Sequence, residues 1–221
     1  MKTENSELPE IRLLHYYNAI PLPLLDTPIS GRVWNSNLVL FKGKRYVVKA
    51  ESGKGKTTFL NLAYGLRQDY RGDVFFNESN IRNLKANDFA QYRVNTFSYL
   101  FQDLRLFGDL TALENILLNP GNTLTTGEIE FMAEKLGVAN RLDKTCKTLS
   151  LGQQQRIALI RALGQPFQWL FLDEPFSHLD DRNAGIAMSM ILEKAQALEA
   201  GIVATCLGDT SIYRDFEMIE L

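Results

Sequence analysis

The chain has 221 residues, enough for one large domain, or one domain with a subdomain, around a sizeable core. A net charge of −2, with 45% apolar and 23% charged residues, is ordinary for a soluble globular protein and argues against non-specific binding to nucleic acid or to an anionic membrane. Two distant cysteines, Cys146 and Cys206, form no CxxC and fit a reduced compartment; no apolar run reaches the ~18 residues that span a bilayer, and the polar start carries no secretory segment, so any membrane role is expected to run through a partner.

In chain order, residues 1–10 read as a loose polar tail. Residues 11–49 read as short strands broken by Pro21, Pro23, Pro28, Gly31 and Gly43. "KRYVVKA" (44–50) is an apolar strand between basic residues. A helix is predicted over 57–67, with Phe59, Leu60, Ala63, Tyr64 and Leu66 as its apolar positions. Strands are predicted at 72–77 and 96–102. Residues 104–165 show helical patterning with a Gly/Thr-rich break at 119–128. "QWLFLD" (168–173) reads as a strand buried on both faces. A helix over 181–199 and an apolar strand over 201–205 follow. Strands alternating with helices predict an α/β fold around a parallel sheet.

The first chemical motif is "AESGKGKT" (50–57), between a predicted strand and a helix. It fits G-x-x-x-x-G-K-[ST] except at the first position, Ala50, which is acceptable there at negative φ. Such a loop turns successive backbone N–H groups toward one anion, and the helix N-terminus adds favourable partial charge. The candidate contacts for ATP are Ser52, Gly53, Lys54, Gly55, Lys56, Thr57 and Thr58. Lys56 would reach the β/γ-phosphates and Thr57 would offer its hydroxyl to Mg²⁺. A dinucleotide-binding loop fits poorly, because the third glycine is missing.

The second motif is "WLFLDEPFSHLD" (169–180), which ends a buried strand in Asp173 and Glu174. Ligands of open α/β sheets bind beyond the strand carboxyl ends. Asp173 would hold Mg²⁺ and Glu174 would polarise the attacking water.

A phosphate loop with a strand-end acid occurs in many NTPases, including small-molecule kinases and helicases. "LSLGQQQRIALIRAL" (149–163) narrows the field. It resembles the LSGGQ signature of ABC ATPases, with Leu151 where that family usually has glycine, and Ser150, Gly152 and Gln153 matching. Ser150 is a plausible helix cap, and Gly152 permits close approach. "SYLFQDLRLFGDLTALENI" (98–116) resembles the Q-loop region, with Gln102 ending a strand, and "SHLD" (177–180) resembles the D-loop, with Asp180 at a dimer interface. The resemblance spans about residues 32–210, and "LTALENI" points to the lipoprotein-release, macrolide-export and cell-division type.

The resemblance implies an α/β P-loop ABC-type cassette with a parallel core sheet, an N-terminal antiparallel β part and a helical subdomain. The division would be a single ATP-binding domain over 1–221, with core plus β part at about 11–103 and 166–221 and the helical subdomain at about 104–165. Glu174 and Gln102 would be catalytic. Thr57, Gln102 and Asp173 would hold Mg²⁺. Ser150, Gly152 and Gln153 would contact ATP bound to a second, head-to-tail subunit, as in a homodimer. The permease would be a separate integral membrane subunit, which Phe101, Leu104, Leu106 and Phe107 would suit as a receiving groove. That places the chain in the cytoplasm, peripheral on the inner face of the plasma membrane, with no nucleic acid as partner.

The family parts are thin in three places. Tyr16, Tyr17 and Trp34 are the candidates for stacking on adenine, without persuasive spacing. The basic run Lys42, Lys44, Arg45 and Lys49 reads as a solvated strand face, and His178 as a structural polar contact. The family's switch histidine is missing: its place, some thirty residues past Glu174, falls on Cys206 or Leu207. ATP hydrolysis is therefore expected to be slow. A hydrolysis-poor, nucleotide-gated regulatory partner of a membrane complex is the alternative. A soluble cassette of translation or DNA repair is disfavoured by the single compact unit.

Overall fold

The computed structural model of the protein describes residues 9–25 and 33–221. The expected breaks at Pro28 and Gly31, and residues 1–8 of the expected polar tail, lie outside the described residues.

β1 (Leu13–Pro21) and β2 (Asn37–Phe41) pair antiparallel, while β3 (Arg45–Lys49) enters a different sheet. α1 (Lys56–Ala63) follows, then β4 (Tyr70–Phe76) lies along the other edge of β1, with β5 (Ser79–Asn80) hairpinned onto it. The order of this antiparallel sheet is β2-β1-β4-β5. The chain continues through α2 (Ala86–Asn95), β6 (Phe97–Leu100), α3 (Ala112–Leu117), α4 (Thr126–Lys135) and α5 (Leu151–Leu163). It closes with β7 (Trp169–Asp173), α6 (Asp181–Ala197), β8 (Gly201–Cys206) and β9 (Glu217–Glu220). The second sheet, β6-β7-β8-β3-β9, is parallel throughout.

The parallel sheet is covered on both faces, as the unbroken apolar runs of β7 and β8 require. Alternate residues serve opposite cores. Trp169 and Phe171 join an aromatic cluster with Phe59 and Phe97, toward α1 and the antiparallel sheet. Leu170 and Leu172 face the core shared with α5 and α6. Each large side chain buried this completely contributes about 1.5–3 kcal/mol.

Several boundaries differ from expectation. α1 stops at Ala63, because the chain closes in a left-handed turn at Gly65 (φ 71°), leaving Leu66 outside the helix. β6 ends at Leu100, so Gln102 stands in the loop beyond it and does not end the strand. The apolar run misleads there because Phe101 packs on Tyr99 and Tyr64 instead of pairing in the sheet. The break at 119–128 is shorter than expected: Thr125 caps α4 in a reciprocal box with Glu128. Thr111 with Glu114 caps α3 in the same way. Between β6 and β7 the chain holds α3, α4 and α5, with a single bridge, Thr111 to Thr145, among the described residues.

Strand order positions the site. In a parallel sheet the carboxyl ends share one edge, and β6, β7, β8 and β3 are consecutive neighbours. The segments after these strands carry Gln102, Glu174, Leu207 and the loop at 50–55, which the fold therefore sets side by side.

Candidate functional site

The loop after β3 turns through Gly53 (φ 79°) and Gly55 (φ 97°), a conformation that residues with a Cβ rarely adopt. Ala50 lies outside the positive-φ residues, as its place in the motif demands. Gly55 is the N-cap of α1 and offers no side chain, so the first N–H groups of the helix have no side-chain cap. A Cβ at Gly55 would meet Leu24 and Trp34 at 3.0 and 3.2 Å, so the antiparallel part backs the loop. Ser52, Gly53 and Lys54 are exposed and Thr58 half-buried.

Lys56 is 5% exposed. Its ammonium donates to the carbonyls of Ala50 (2.9 Å) and Glu51 (3.1 Å) and lies 3.4 Å from Glu174 Oε1. Thr57 Oγ1 donates to Gln102 Oε1 at 3.4 Å, and Gln102 Nε2 donates to Glu174 Oε2 at 3.3 Å. These side chains form a loose ring, held by long bonds that a ligand can replace cheaply.

Asp173, on β7, is 1% exposed. Its Oδ1 accepts from the Thr205 hydroxyl at 2.7 Å, while Oδ2 is buried without a partner. Burial pushes its carboxyl above the ordinary range, against the Thr205 hydrogen bond and the nearby Thr57 hydroxyl and Lys56 ammonium. Thr57, Gln102 and Asp173 line one cavity of about 320 Å³. An orphaned carboxylate oxygen beside a hydroxyl and an amide is a hard oxygen donor set, which fits a magnesium ion that takes its remaining ligands from water and phosphate. Among the described residues no group of three or more His, Cys, Asp or Glu is arranged to hold a metal ion.

Glu174 occupies the left-handed region, φ 50°. Its N–H donates to Thr205 Oγ1 (3.0 Å), and its carbonyl accepts from Gln155 Nε2 (3.2 Å). Gln155 is 2% exposed, also donates to Pro175 O (2.5 Å) and accepts the His178 N–H (3.0 Å). Thr205 and Gln155 thus hold the glutamate in an unusual backbone conformation. Sequence reading missed both; a threonine in the apolar run 201–206 and a glutamine inside an amphipathic helix were the available signals.

Ser150, Gly152 and Gln153 form a second group. Ser150 caps α5, and Gln153 returns its side chain to the Ser150 N–H, so both polar groups serve the cap. A Cβ on Gly152 would stand 2.6 Å from the His178 carbonyl, so the glycine makes room for its own chain's D-loop-like turn. Among the described residues no hydrogen bond joins this turn to the loop at 50–55. Asp180 caps α6; His178 is exposed, and among the described residues its backbone N–H makes the polar contact expected of its side chain.

Two expectations need correction. Tyr16 and Trp34 cannot stack on a base as they stand: Tyr16 is fully buried, packed on Phe59 and donating to the Phe59 carbonyl, and Trp34 is 4% exposed behind Gly55. Tyr17 is the exposed one of the three. In the expected groove, Leu104 is a core residue and Leu106 packs against the core, while Phe101 and Phe107 line a cavity of about 300 Å³ with Tyr64, Arg93, Arg105 and Arg161.

At the switch position, Cys206 is 6% exposed and Leu207 is 49% exposed. Both line a cavity of about 320 Å³ with Glu174, Phe176, Asp209 and Tyr213. Burial pushes the Cys206 thiol up, so it stays protonated and cannot replace an imidazole.

Residues 33–177 match the ABC transporter family. The chain is 30% identical over 172 residues to the lipoprotein-releasing system ATP-binding protein LolD of Saccharophagus degradans, covering 76% of this chain and 75% of that one. It is 30% identical over 162 residues to the macrolide export ATP-binding/permease protein MacB of Shewanella sp., covering 71% of this chain and 25% of that longer protein. The dimeric, post-hydrolysis structure of the ATP-binding cassette MJ0796 bound to ADP and Pi superposes with a TM-score of 0.77 at 25% identity, over 94% of both chains.

Proposed function

The chain belongs to the ABC transporter family, and from that premise we propose that it binds and hydrolyses ATP to drive a separate membrane permease. The observation that carries the reading is the convergence of Lys56, Thr57, Gln102, Asp173 and Glu174 beyond adjoining strands of one parallel sheet.

The roles follow from the chemistry. Uncapped N–H groups of α1 and the Lys56 ammonium receive the phosphates. Lys56 exchanges its pairing with Glu174 for the β/γ-phosphates, which frees that carboxylate to orient and deprotonate water. Gln102 bridges Thr57 and Glu174 and aligns the water side of the site with the metal side. Thr57, Asp173 and Gln102 would hold Mg²⁺, which when bound neutralises charge on the phosphate oxygens. Ser52, Gly53, Lys54, Gly55 and Thr58 complete the cradle.

Ser150, Gly152 and Gln153 would meet ATP held by a second cassette in a head-to-tail pair; the cap geometry of α5 supports an anion there. The helices between about 104 and 165 would act as a subdomain, and the Phe101–Phe107 cavity with its three arginines would receive a permease segment. The permease would be a separate protein, with this chain on its cytoplasmic face; the match to LolD over about three quarters of both chains supports that reading. Co-purification from membranes tests this: an integral membrane protein retained at stoichiometric amounts supports it, and a chain recovered without one overturns it.

Cys206 and Leu207 favour a second reading, a slow or hydrolysis-poor cassette that gates its membrane partner by binding nucleotide. Steady-state ATPase of the purified complex separates the two.

A further inference from the structure

Leu104 and Arg105, just beyond Gln102, both occupy the left-handed backbone region, with φ 57° and 47°. Residues with a Cβ visit that region rarely, and two in succession persist only where the surroundings over-determine them. Within the turn, Leu104 N–H donates to the Phe101 carbonyl and Arg105 N–H to the Asp103 carbonyl; from outside it, one side chain holds both carbonyls. Arg161 Nη2 donates to the Leu104 carbonyl at 2.5 Å and Nη1 to the Arg105 carbonyl at 2.7 Å. The Arg161 guanidinium makes no ion pair among the described residues, so these two carbonyls are its polar partners. The turn is also fastened from its own side: the Leu104 side chain is in the core, and the Arg105 guanidinium lies 3.7 Å from the centre of the Phe101 ring.

Gln102 lies between these fastenings, and its own bonds, at 3.4 and 3.3 Å, are too long to fix the loop. Arg161 comes from α5, about three turns beyond the Ser150 cap.

We propose that Arg161 is a positioning residue for ATP hydrolysis: from the signature helix it clamps the left-handed Leu104–Arg105 turn and so sets where Gln102 stands between Thr57 and Glu174. The proposal rests on the reading of Gln102 given above. It makes α5 a lever, because a shift of that helix against the sheet strains both bonds and withdraws Gln102 from the water side of the site.

The test uses Arg161→Ala, with Arg161→Lys as a milder variant should the alanine protein fail to fold. Hydrogen exchange across 102–106 should accelerate. ATP affinity should stay within about twofold, while kcat falls on the order of tenfold, as expected when charged-donor hydrogen bonds to a catalytic loop are lost. Adding Arg105→Gly to Arg161→Ala should recover part of kcat, since glycine accepts positive φ without a clamp. Wild-type kcat and exchange in Arg161→Ala or Arg161→Lys overturns the proposal. So does a parallel loss of affinity and kcat that Arg105→Gly does not relieve. Gln102→Ala separates the premises: a normal kcat there sinks the reading of Gln102 and the clamp with it, whereas a slow Gln102→Ala beside a normal Arg161→Ala sinks the clamp alone.

Discussion

The Lys56 ammonium lies 3.4 Å from the Glu174 carboxylate, and both side chains are under a tenth exposed. The site is therefore neutralised from within, and an arriving triphosphate has to displace a carboxylate from the cation that will hold it. Buried pairs of this kind cost much of their attraction in desolvation, so exchanging one anion for another is easier than creating a bare charge.

Glu174→Gln separates binding from chemistry. The amide leaves Lys56 available and cannot take a proton from water, so ATP should bind at least as tightly while kcat falls by about 100-fold or more. On size exclusion with Mg·ATP the variant should run as a trapped dimer. A variant that stays monomeric where the wild type dimerises would refute the assigned role.

Lys56→Ala removes the one buried cation of the cradle. Loss of charge-assisted bonds to phosphate should weaken ATP binding about 10- to 100-fold. A fluorescent-nucleotide titration checks it, and unchanged affinity would mean that the phosphates sit elsewhere.

Asp173→Asn tests the metal side through stability. The native carboxyl titrates above its unfolded value, so the stability it contributes is present below the ordinary aspartate pKa and is lost as pH rises through the raised one. Without nucleotide, Asp173→Asn should therefore melt higher than wild type at pH 7, and the gap should close toward pH 4. Mg·ATP should stabilise the wild type and not the variant. A lower Tm for the variant at pH 7 would show that the ionised carboxylate is already compensated.

Much of this site was legible in the sequence because its determinants are local. Gly53, Gly55, Lys56 and Thr57 act through one turn of backbone, and Asp173 with Glu174 ends an apolar run that must be a buried strand. Gln155, Thr205 and Arg161 were not legible. Each acts on a carbonyl, N–H or carboxylate far away in the chain, so its own neighbourhood shows at most a polar residue out of place and never the group it holds. Tyr16 failed as an adenine candidate for a related reason: an aromatic on a strand is a core residue or a surface residue according to register, which put Tyr16 inward and Tyr17 outward.

Cys206→His restores an imidazole at the wall of the cavity beside Glu174, where about 320 Å³ is open to receive it. If the missing histidine limits turnover, kcat should rise by tenfold or more, the low end of general acid–base effects or below it. Unchanged kcat in Cys206→His and in Leu207→His alike would show that another group does this work.

Gly152→Ala would place a methyl 2.6 Å from the His178 carbonyl, which is backbone and cannot swing away. Overpacking of this size costs about 1–3 kcal/mol. The variant should melt several degrees lower, with ATP-dependent dimerisation weakened. A full-strength dimer at the wild-type Tm would mean that the two turns separate freely.

One hydroxyl, that of Thr205, serves both the carboxylate of Asp173 and the N–H of Glu174. Neighbours on a strand point to opposite sides, so the next residue, Cys206, takes no part in that arrangement. The end of β8 is thus divided between two separate duties, one at the acids and one at the wall of the neighbouring cavity. Residue 205 alone of the two tethers the acids of β7. A side chain at residue 206 can therefore be exchanged without touching the hydroxyl that ties Asp173 to the Glu174 backbone.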